Sequence, residues 1–110
     1  MRSFAELIKQ VKGVDSSDAV KQLGHHFRSP GHIPICIAAQ DLLQERRGHT
    51  ELVIALLTMA GLVPAGSGCE IMGSNGKAMT KSDVLTYAKN NHFVFLEGKD
   101  IIKAWEQWSP

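Results

Sequence analysis

Apolar residues recur at helical spacing near both ends of the chain, with polar residues between them. In residues 3–12 they form a single stripe, which is typical of an amphipathic helix. Similar spacing predicts a short helix over residues 17–23 and a last helix that carries Trp105 and Trp108 along one side. Residues 1–24 are therefore interpreted as a helical lead-in to the rest of the chain.

A continuous apolar run marks the middle of the chain. Residues 51–60 are almost entirely apolar, so the helix predicted there has no polar face of normal width and should be central to the fold. Gly61 follows it directly and is a typical helix stop. Thr80, with an acidic residue three positions later, predicts the start of a further helix that Asn90 or Asn91 can end.

Three short runs lack helical spacing and are rich in apolar or small residues. They are residues 33–39 (IPICIAA), 65–72 (AGSGCEIM) and 92–97 (HFVFLE). Strands that alternate with helices predict the α/β class, here a mixed α+β sandwich with a small, partly parallel sheet flanked by helices. Three strands are few for a covered sheet, so we expect self-association or a partner chain to protect the edges.

Composition narrows the possible functions. The chain has 110 residues, which fits a single domain over 1–110, with 12 basic against 11 acidic side chains. This balance gives no overall positive potential that would attract nucleic acid. No apolar stretch is long enough for a membrane span or a signal peptide. Cys36 and Cys69 lie far apart in apolar contexts, which predicts two buried, reduced thiols and a cytoplasmic protein.

The run RRGHT directly before the apolar helix is the main chemical candidate. A helix that begins near Gly48 leaves several backbone N–H groups free and carries partial positive charge there. The side chains of Arg46, Arg47, His49 and Thr50 add further donors, so the run predicts a phosphate site. The competing interpretation is an ordinary solvated basic surface.

Four side chains could also take part in metal binding or proton transfer, but each has a purely structural alternative. His49 could ligate a divalent cation, polarise a carbonyl or donate to a loop carbonyl, and Glu51 could simply complement the helix dipole. Glu70 lies in an otherwise apolar or small run, where partial burial would suit an acid or base, unless it faces water at an edge. His32 follows a Pro-Gly turn and either faces a cleft or binds loop backbone.

Several segments resemble, in order and spacing, the C-terminal half of the 3,4-dihydroxy-2-butanone 4-phosphate synthases, and the archaeal members most of all. These segments are FRSPGHIPI, RRGHTE, AGLVPAG and the long run CEIMGSNGKAMTKSDVLTYAKNNHFVFLEGKDIIKAW. The similarity extends from Phe27 to Trp105, and its most specific part is RRGHTE followed about twenty residues later by Cys-Glu. The resemblance implies half of a mixed α/β sandwich that works as a homodimer with active sites at the subunit boundary.

The resemblance also implies an activity. It would be a lyase of riboflavin biosynthesis that converts D-ribulose 5-phosphate into formate and L-3,4-dihydroxy-2-butanone 4-phosphate with Mg²⁺ or Mn²⁺. Matched residue by residue, the substrate-binding positions are Arg46, Arg47, Gly48, His49 and Thr50. The same resemblance makes His49 a metal ligand, and it makes His32 and Glu70 the groups that move protons.

One part of the family pattern is absent. The resemblance implies an acidic loop of the form R-E-x-E-G-D in the N-terminal half, and the sequence has no such run. One histidine is too few ligands for a hard cation that prefers oxygen. We therefore expect a homodimer or a complex with a chain that carries the N-terminal half. The alternative is an inactive truncated paralogue that acts as a sugar-phosphate-binding or regulatory module.

Overall fold

The computed structural model describes residues 2–108, and their side chains from Phe4 onward. The described part contains five α-helices and one short 3₁₀ turn. In chain order these are α1 (Arg2–Val11), α2 (Ser16–His26), the 3₁₀ turn (Leu42–Gln44), α3 (His49–Met59), α4 (Lys81–Asn90) and α5 (Gly98–Gln107). Each helix predicted from the sequence is present, with ends that differ by a few residues.

Local signals set the helix ends. Asp15 precedes α2, and its carboxylate accepts the backbone N–H of Ser17 at 2.8 Å. Thr80 precedes α4, where its hydroxyl oxygen accepts the N–H of Asp83 at 3.3 Å, so the predicted start of this helix is confirmed. After α3, Gly61 adopts φ +66°, a left-handed conformation that suits glycine and ends the helix as predicted.

The helix α3 lies against both α5 and the 3₁₀ turn. Ala55, in the middle of α3, is completely buried, and Leu43 in the 3₁₀ turn is nearly so. The start of α5 comes close to α3, since a Cβ placed on Gly98 would lie 3.1 Å from Leu52 Cδ1. α3 thus packs against two elements, but Val53 and Leu56 remain 37% and 39% exposed, so the expected central position holds for only part of its surface.

The first two helices form a second contact. α1 packs against α2, and Leu7 is buried on α1. Phe4 meets Phe27 edge to face, with ring centroids 5.7 Å apart, just after the end of α2. The helical lead-in predicted for the N-terminal residues is thus a helical hairpin, and α2 extends to His26, beyond the predicted end at residue 23.

The predicted α/β sandwich with a small, partly parallel sheet is wrong for this structure. Within residues 2–108 the sole β pairing is an isolated antiparallel bridge between Met72 and Ala78. The three runs interpreted as strands contain no regular strand, and no backbone–backbone hydrogen bond joins residues 28–38 to another described residue. A strand needs the N–H and C=O groups of a neighbouring strand. The apolar pattern of a run indicates that it favours burial, but it does not show that a pairing strand is present.

Much apolar surface consequently remains in contact with solvent. Ile33 and Ile37 are 82% and 87% exposed, and Val94 is 85% exposed. The radius of gyration is 16.5 Å, against about 13 Å for a typical closed domain of this length. The described residues therefore enclose only part of their apolar surface.

Two further expectations concern the thiols and the membrane. Cys36 and Cys69 are free, as predicted, but both are exposed, so the prediction of buried thiols is wrong. The reason is the same as for the sheet, because each cysteine lies in a run that finds no covering neighbour. Among the described helices none has the length and apolarity to cross a bilayer.

Candidate functional site

The predicted phosphate-binding residues occupy the start of α3 and the loop before it. Gly48 precedes the helix with an extended backbone (φ −91°, ψ 171°), and His49 and Thr50 form the first turn. Arg46 and Arg47 lie between the 3₁₀ turn and Gly48. The backbone N–H groups of the first turn lack partners within the helix, so the site offers amide donors and two guanidinium groups on one short stretch.

A buried carboxylate lies directly under this loop. Glu51 has no exposed surface, and its two oxygens accept different backbone amides, Oε1 from Ala39 and Oε2 from Gly48, each at 3.1 Å. The Nη1 atom of Arg46 is 3.7 Å from Oε1. The amide of Ala39 is the largest cause that holds the pKa of Glu51 below its usual value; burial opposes it, while Arg46 and Gly48 add to it. The carboxylate is therefore ionised at neutral pH.

Gly48 is required by close packing. A Cβ placed on it would lie 2.7 Å from Glu51 Oε2 and 3.3 Å from Arg46 Nε. The first distance is shorter than real Cβ contacts and the second is tight, so any side chain here would displace the carboxylate or the guanidinium. The glycine of the RRGHT run thus lets Glu51 and Arg46 approach the backbone together.

The two arginines diverge. Arg46 contacts Glu51, whereas Arg47 lines a groove of about 450 Å³ between the 3₁₀ turn and α5. The same groove is bordered by Trp105 and Trp108, whose rings stack with centroids 5.1 Å apart. The sequence placed both guanidinium groups at one phosphate site, and the structure places Arg46 alone in contact with the side chain of Glu51.

The two predicted proton-transfer groups lie on other segments. His32 and Glu70 are both exposed, and neither side chain makes a hydrogen bond to another described residue. Glu70 belongs to the run that crosses α3 at Gly66, where a Cβ would lie 2.8 Å from Val53 Cγ1. His32 precedes the run whose end, Ala39, is held by Glu51.

The described residues do not by themselves fit a divalent metal. Between residues 2 and 108 no group of three or more His, Cys, Asp or Glu side chains is placed to hold an ion. His49 is thus a candidate ligand without companions on the described part of the chain. Mg²⁺ and Mn²⁺ take several oxygen ligands, so further carboxylates would have to come from elsewhere.

Glu51 is a candidate whose buried position the sequence does not make plain. Its place in the first turn of α3 predicts a carboxylate that complements the helix dipole, and such a residue is normally exposed. The available signals were its position three residues after Gly48, which is the spacing of a capping box, and the absence of any polar face on the helix that follows. Together these could have indicated a buried acidic group.

Comparison with known proteins identifies the family. A sequence profile of the 3,4-dihydroxy-2-butanone 4-phosphate synthase family matches residues 5–104. A protein of that name from Methanosarcina mazei is 44% identical over 80% of this chain, which corresponds to 36% of the relative. Another, from Archaeoglobus fulgidus, is 41% identical over 98% of this chain and 44% of its own length.

A third relative carries a different name. The riboflavin biosynthesis protein RibBA of Aquifex aeolicus is 38% identical over 70% of this chain and 19% of its own length. The chain thus spans less than half the length of each of these three relatives. The profile nevertheless covers nearly the whole chain, and the match includes the RRGHTE run described above. The chain therefore belongs to the 3,4-dihydroxy-2-butanone 4-phosphate synthase family.

Proposed function

We propose that this chain forms the substrate-binding part of a 3,4-dihydroxy-2-butanone 4-phosphate synthase. The assembled enzyme would convert D-ribulose 5-phosphate into L-3,4-dihydroxy-2-butanone 4-phosphate and formate, whose atoms together equal those of the substrate. One observation carries the proposal: residues 46–50 form a donor-rich loop and helix start in a chain that matches the family over residues 5–104. Riboflavin biosynthesis is the process to which the name of one relative points.

The binding step follows from the helix start. The phosphate would accept hydrogen bonds from the free N–H groups of the first turn of α3 and from the hydroxyl of Thr50. Arg46, whose side chain is 67% exposed, remains accessible for a charge-assisted bond to the same anion. Held at this end, the substrate presents its carbon chain to groups nearby, so binding energy serves orientation.

Proton transfer is assigned to His32 and Glu70. Both are exposed and free of hydrogen bonds to other described residues, so both are accessible to a substrate. The reaction requires enolisation, loss and return of water, and a carbon shift, and each of these steps moves protons at carbon or oxygen. In the proposal one group removes a proton while the other returns one.

A second chain is part of the proposal. The described residues offer one candidate metal ligand, His49, and the relatives are more than twice as long as the matched region. We propose that a chain with the N-terminal half supplies acidic ligands for Mg²⁺ or Mn²⁺ and covers the exposed apolar runs around Ile37 and Val94. The free thiols fit a reducing compartment, so we propose the cytoplasm as the location.

Reconstitution tests this function. This chain would be mixed with the N-terminal half of the Archaeoglobus fulgidus relative, ribulose 5-phosphate and Mg²⁺, and formate would be measured. We expect formate release that neither chain gives alone, and its loss in His32→Ala, His49→Ala and Glu70→Ala. His25→Ala, which changes an exposed histidine of α2, is the matched control and should retain activity. Full turnover in His49→Ala or Glu70→Ala would contradict the assigned roles.

A second candidate is a binding or regulatory module without lyase activity. It is favoured by one observation, that the described residues contain no cluster able to hold a metal. This candidate predicts that the chain binds ribulose 5-phosphate with the same affinity in the presence and absence of Mg²⁺, and that no added chain produces formate. Isothermal titration at both metal concentrations, run beside the formate assay, separates it from the first proposal.

A further inference from the structure

We propose that Glu51 is a positioning residue, which ties the segment after His32 to the phosphate-binding loop and fixes the loop in its binding conformation. This inference rests on the proposed function, because the loop it supports is the proposed phosphate site. Glu51 itself lies beneath the loop and is buried, so it would act through Ala39, Gly48 and Arg46 and would not touch the substrate.

The hydrogen bonds of Glu51 exceed what a helix cap needs. A first-turn glutamate that only caps its helix accepts the N–H of the residue before the helix, as Glu51 does with Gly48. Here the second oxygen accepts the N–H of Ala39, twelve residues earlier in the sequence. Each oxygen thus holds a different segment, and the carboxylate joins the end of the run 33–39 to the loop.

Through its contacts with Gly48 and Arg46, Glu51 also affects the exposed side of the loop, where the phosphate would bind. Gly48 packs so closely on Glu51 that a Cβ would lie 2.7 Å from its Oε2 atom. Arg46 passes over the same glycine, with Nε 3.3 Å from that Cβ position and Nη1 3.7 Å from Oε1. The buried carboxylate of Glu51 therefore fixes the position of the Gly48 backbone, next to the amides of the helix start. It also fixes the position of the Arg46 guanidinium, which would bind the phosphate.

A held loop binds an anion more tightly than a mobile one, because less conformational entropy is lost on binding. No backbone–backbone hydrogen bond joins residues 28–38 to anything else described, so their end is held through Ala39, whose N–H donates to Glu51 and whose carbonyl accepts the N–H of Leu42. Without the carboxylate, Ala39 would keep its bond to Leu42 but would lose its direct link to the loop at Gly48. Phosphate affinity should then fall even in a chain whose helices are intact.

The experiment compares Glu51→Gln with Glu45→Gln. Both substitutions remove one negative charge near the arginines, but Glu45 is exposed while Glu51 is buried. Inorganic phosphate is titrated at constant ionic strength, and the amide resonances of Gly48, His49 and Thr50 are followed by NMR. We expect about tenfold weaker binding for Glu51→Gln, equivalent to about 1.4 kcal/mol, and a change below about twofold for Glu45→Gln.

Amide hydrogen exchange distinguishes positioning from general destabilisation. In Glu51→Gln the amides of Ala39 and Gly48 should exchange faster, while the amide of Ile54 within α3 keeps its protection. A merely structural role would accelerate all three together. Glu51→Asp keeps the charge but is one methylene shorter, so it should hold one of the two amides and give intermediate affinity. If Glu51→Gln does not fold, Gly48→Ala replaces it, because its Cβ displaces the carboxylate.

The outcomes separate the role of Glu51 from the proposed phosphate site. Wild-type phosphate affinity in folded Glu51→Gln, or in Gly48→Ala if that variant is needed, overturns the inference and leaves the binding loop in place. If the unchanged chain shows no response to phosphate, the proposed function fails at its binding step. The exchange rates of Ala39 and Gly48 then decide alone whether Glu51 joins the two segments.

Discussion

Two apolar regions of similar composition differ in how far the molecule covers them. The run LVIALL lies within α3, where the backbone bonds are made within the helix, Ala55 is completely buried, and even Val53 and Leu56 are no more than 39% exposed. The run IPICIAA lies in residues 33–39, where Ile33 and Ile37 are more than four-fifths exposed. A helix satisfies its own N–H and C=O groups, whereas an extended run depends on a neighbour. Apolar sequence alone therefore does not decide burial.

The largest expected effect comes from removing a buried side chain beside α3. Leu43→Ala takes away most of a nearly buried side chain in the 3₁₀ turn, so we expect a loss of about 2–3 kcal/mol in the free energy of unfolding. Urea unfolding followed by the fluorescence of Trp105 and Trp108 measures it, because both rings border the same groove as Leu43.

The matched control is the same kind of truncation in the exposed run. Ile37 is 87% exposed, so Ile37→Ala should change the free energy of unfolding by less than about 0.5 kcal/mol. Equal destabilisation by the two substitutions would break the comparison, since it would show that residues 33–39 are covered in solution. A concentration-dependent effect of Ile37→Ala would point to a second copy of the chain as the cover.

A smaller effect is expected at the end of α3. Gly61 has φ +66°, and the N–H of Leu62 returns to the carbonyl of Leu57 at 2.9 Å, so the helix ends in a left-handed turn. Gly61→Ala forces a side chain into that conformation and should cost about 1 kcal/mol. Urea unfolding measures the loss.

Gly68 provides the matched control for that substitution. It lies in the extended run after α3, and a Cβ there would meet nothing within 4 Å. Gly68→Ala should therefore be neutral or stabilise by a few tenths of a kcal/mol, because alanine restricts the unfolded chain. If Gly68→Ala destabilised as much as Gly61→Ala, that extended run would be packed more tightly than the structure shows.

The contrast also explains how much of the fold was predictable. The signals for α3 and α4 are local, an apolar run ended by Gly61 and a capping threonine at Thr80, and both helices form where predicted. The apolar runs 33–39 and 92–97 carry equally clear patterns, but a strand also needs a partner at a distance in sequence. A single run cannot show whether that partner exists, so the predicted sheet was wrong.

In the candidate site, too, the features that depend on local sequence were predictable and those that depend on distant contacts were not. The positions of Gly48, His49 and Thr50 at a helix start follow from local sequence, and the structure places them there. The divergence of Arg46 and Arg47, and the bond from Ala39 to Glu51, depend on which segments meet in three dimensions. No spacing rule within RRGHTE could have indicated that its glutamate reaches back to residue 39.

The smallest effects are expected from ion pairs at the surface. Glu97, directly before α5, pairs with Lys81 and with Lys99, and both lysine side chains are largely exposed. The hydrogen bond from Lys81 is the main cause that holds the pKa of Glu97 below its usual value, and the bond from Lys99 is the next. Lys81→Gln should therefore raise this pKa more than Lys99→Gln, as measured by NMR titration of the Glu97 carboxyl group.

The sign of the stability effect follows from the direction of the pKa. Because folding lowers the pKa of Glu97, its contribution is present above the pKa of a free glutamate and is lost as the pH falls through the lowered value. Each lysine variant should thus be slightly less stable than the unchanged chain at pH 7, by less than Gly61→Ala, and equal to it in strong acid. A larger loss than that of Leu43→Ala would mean that exposed charges, and not burial around α3, hold these helices together.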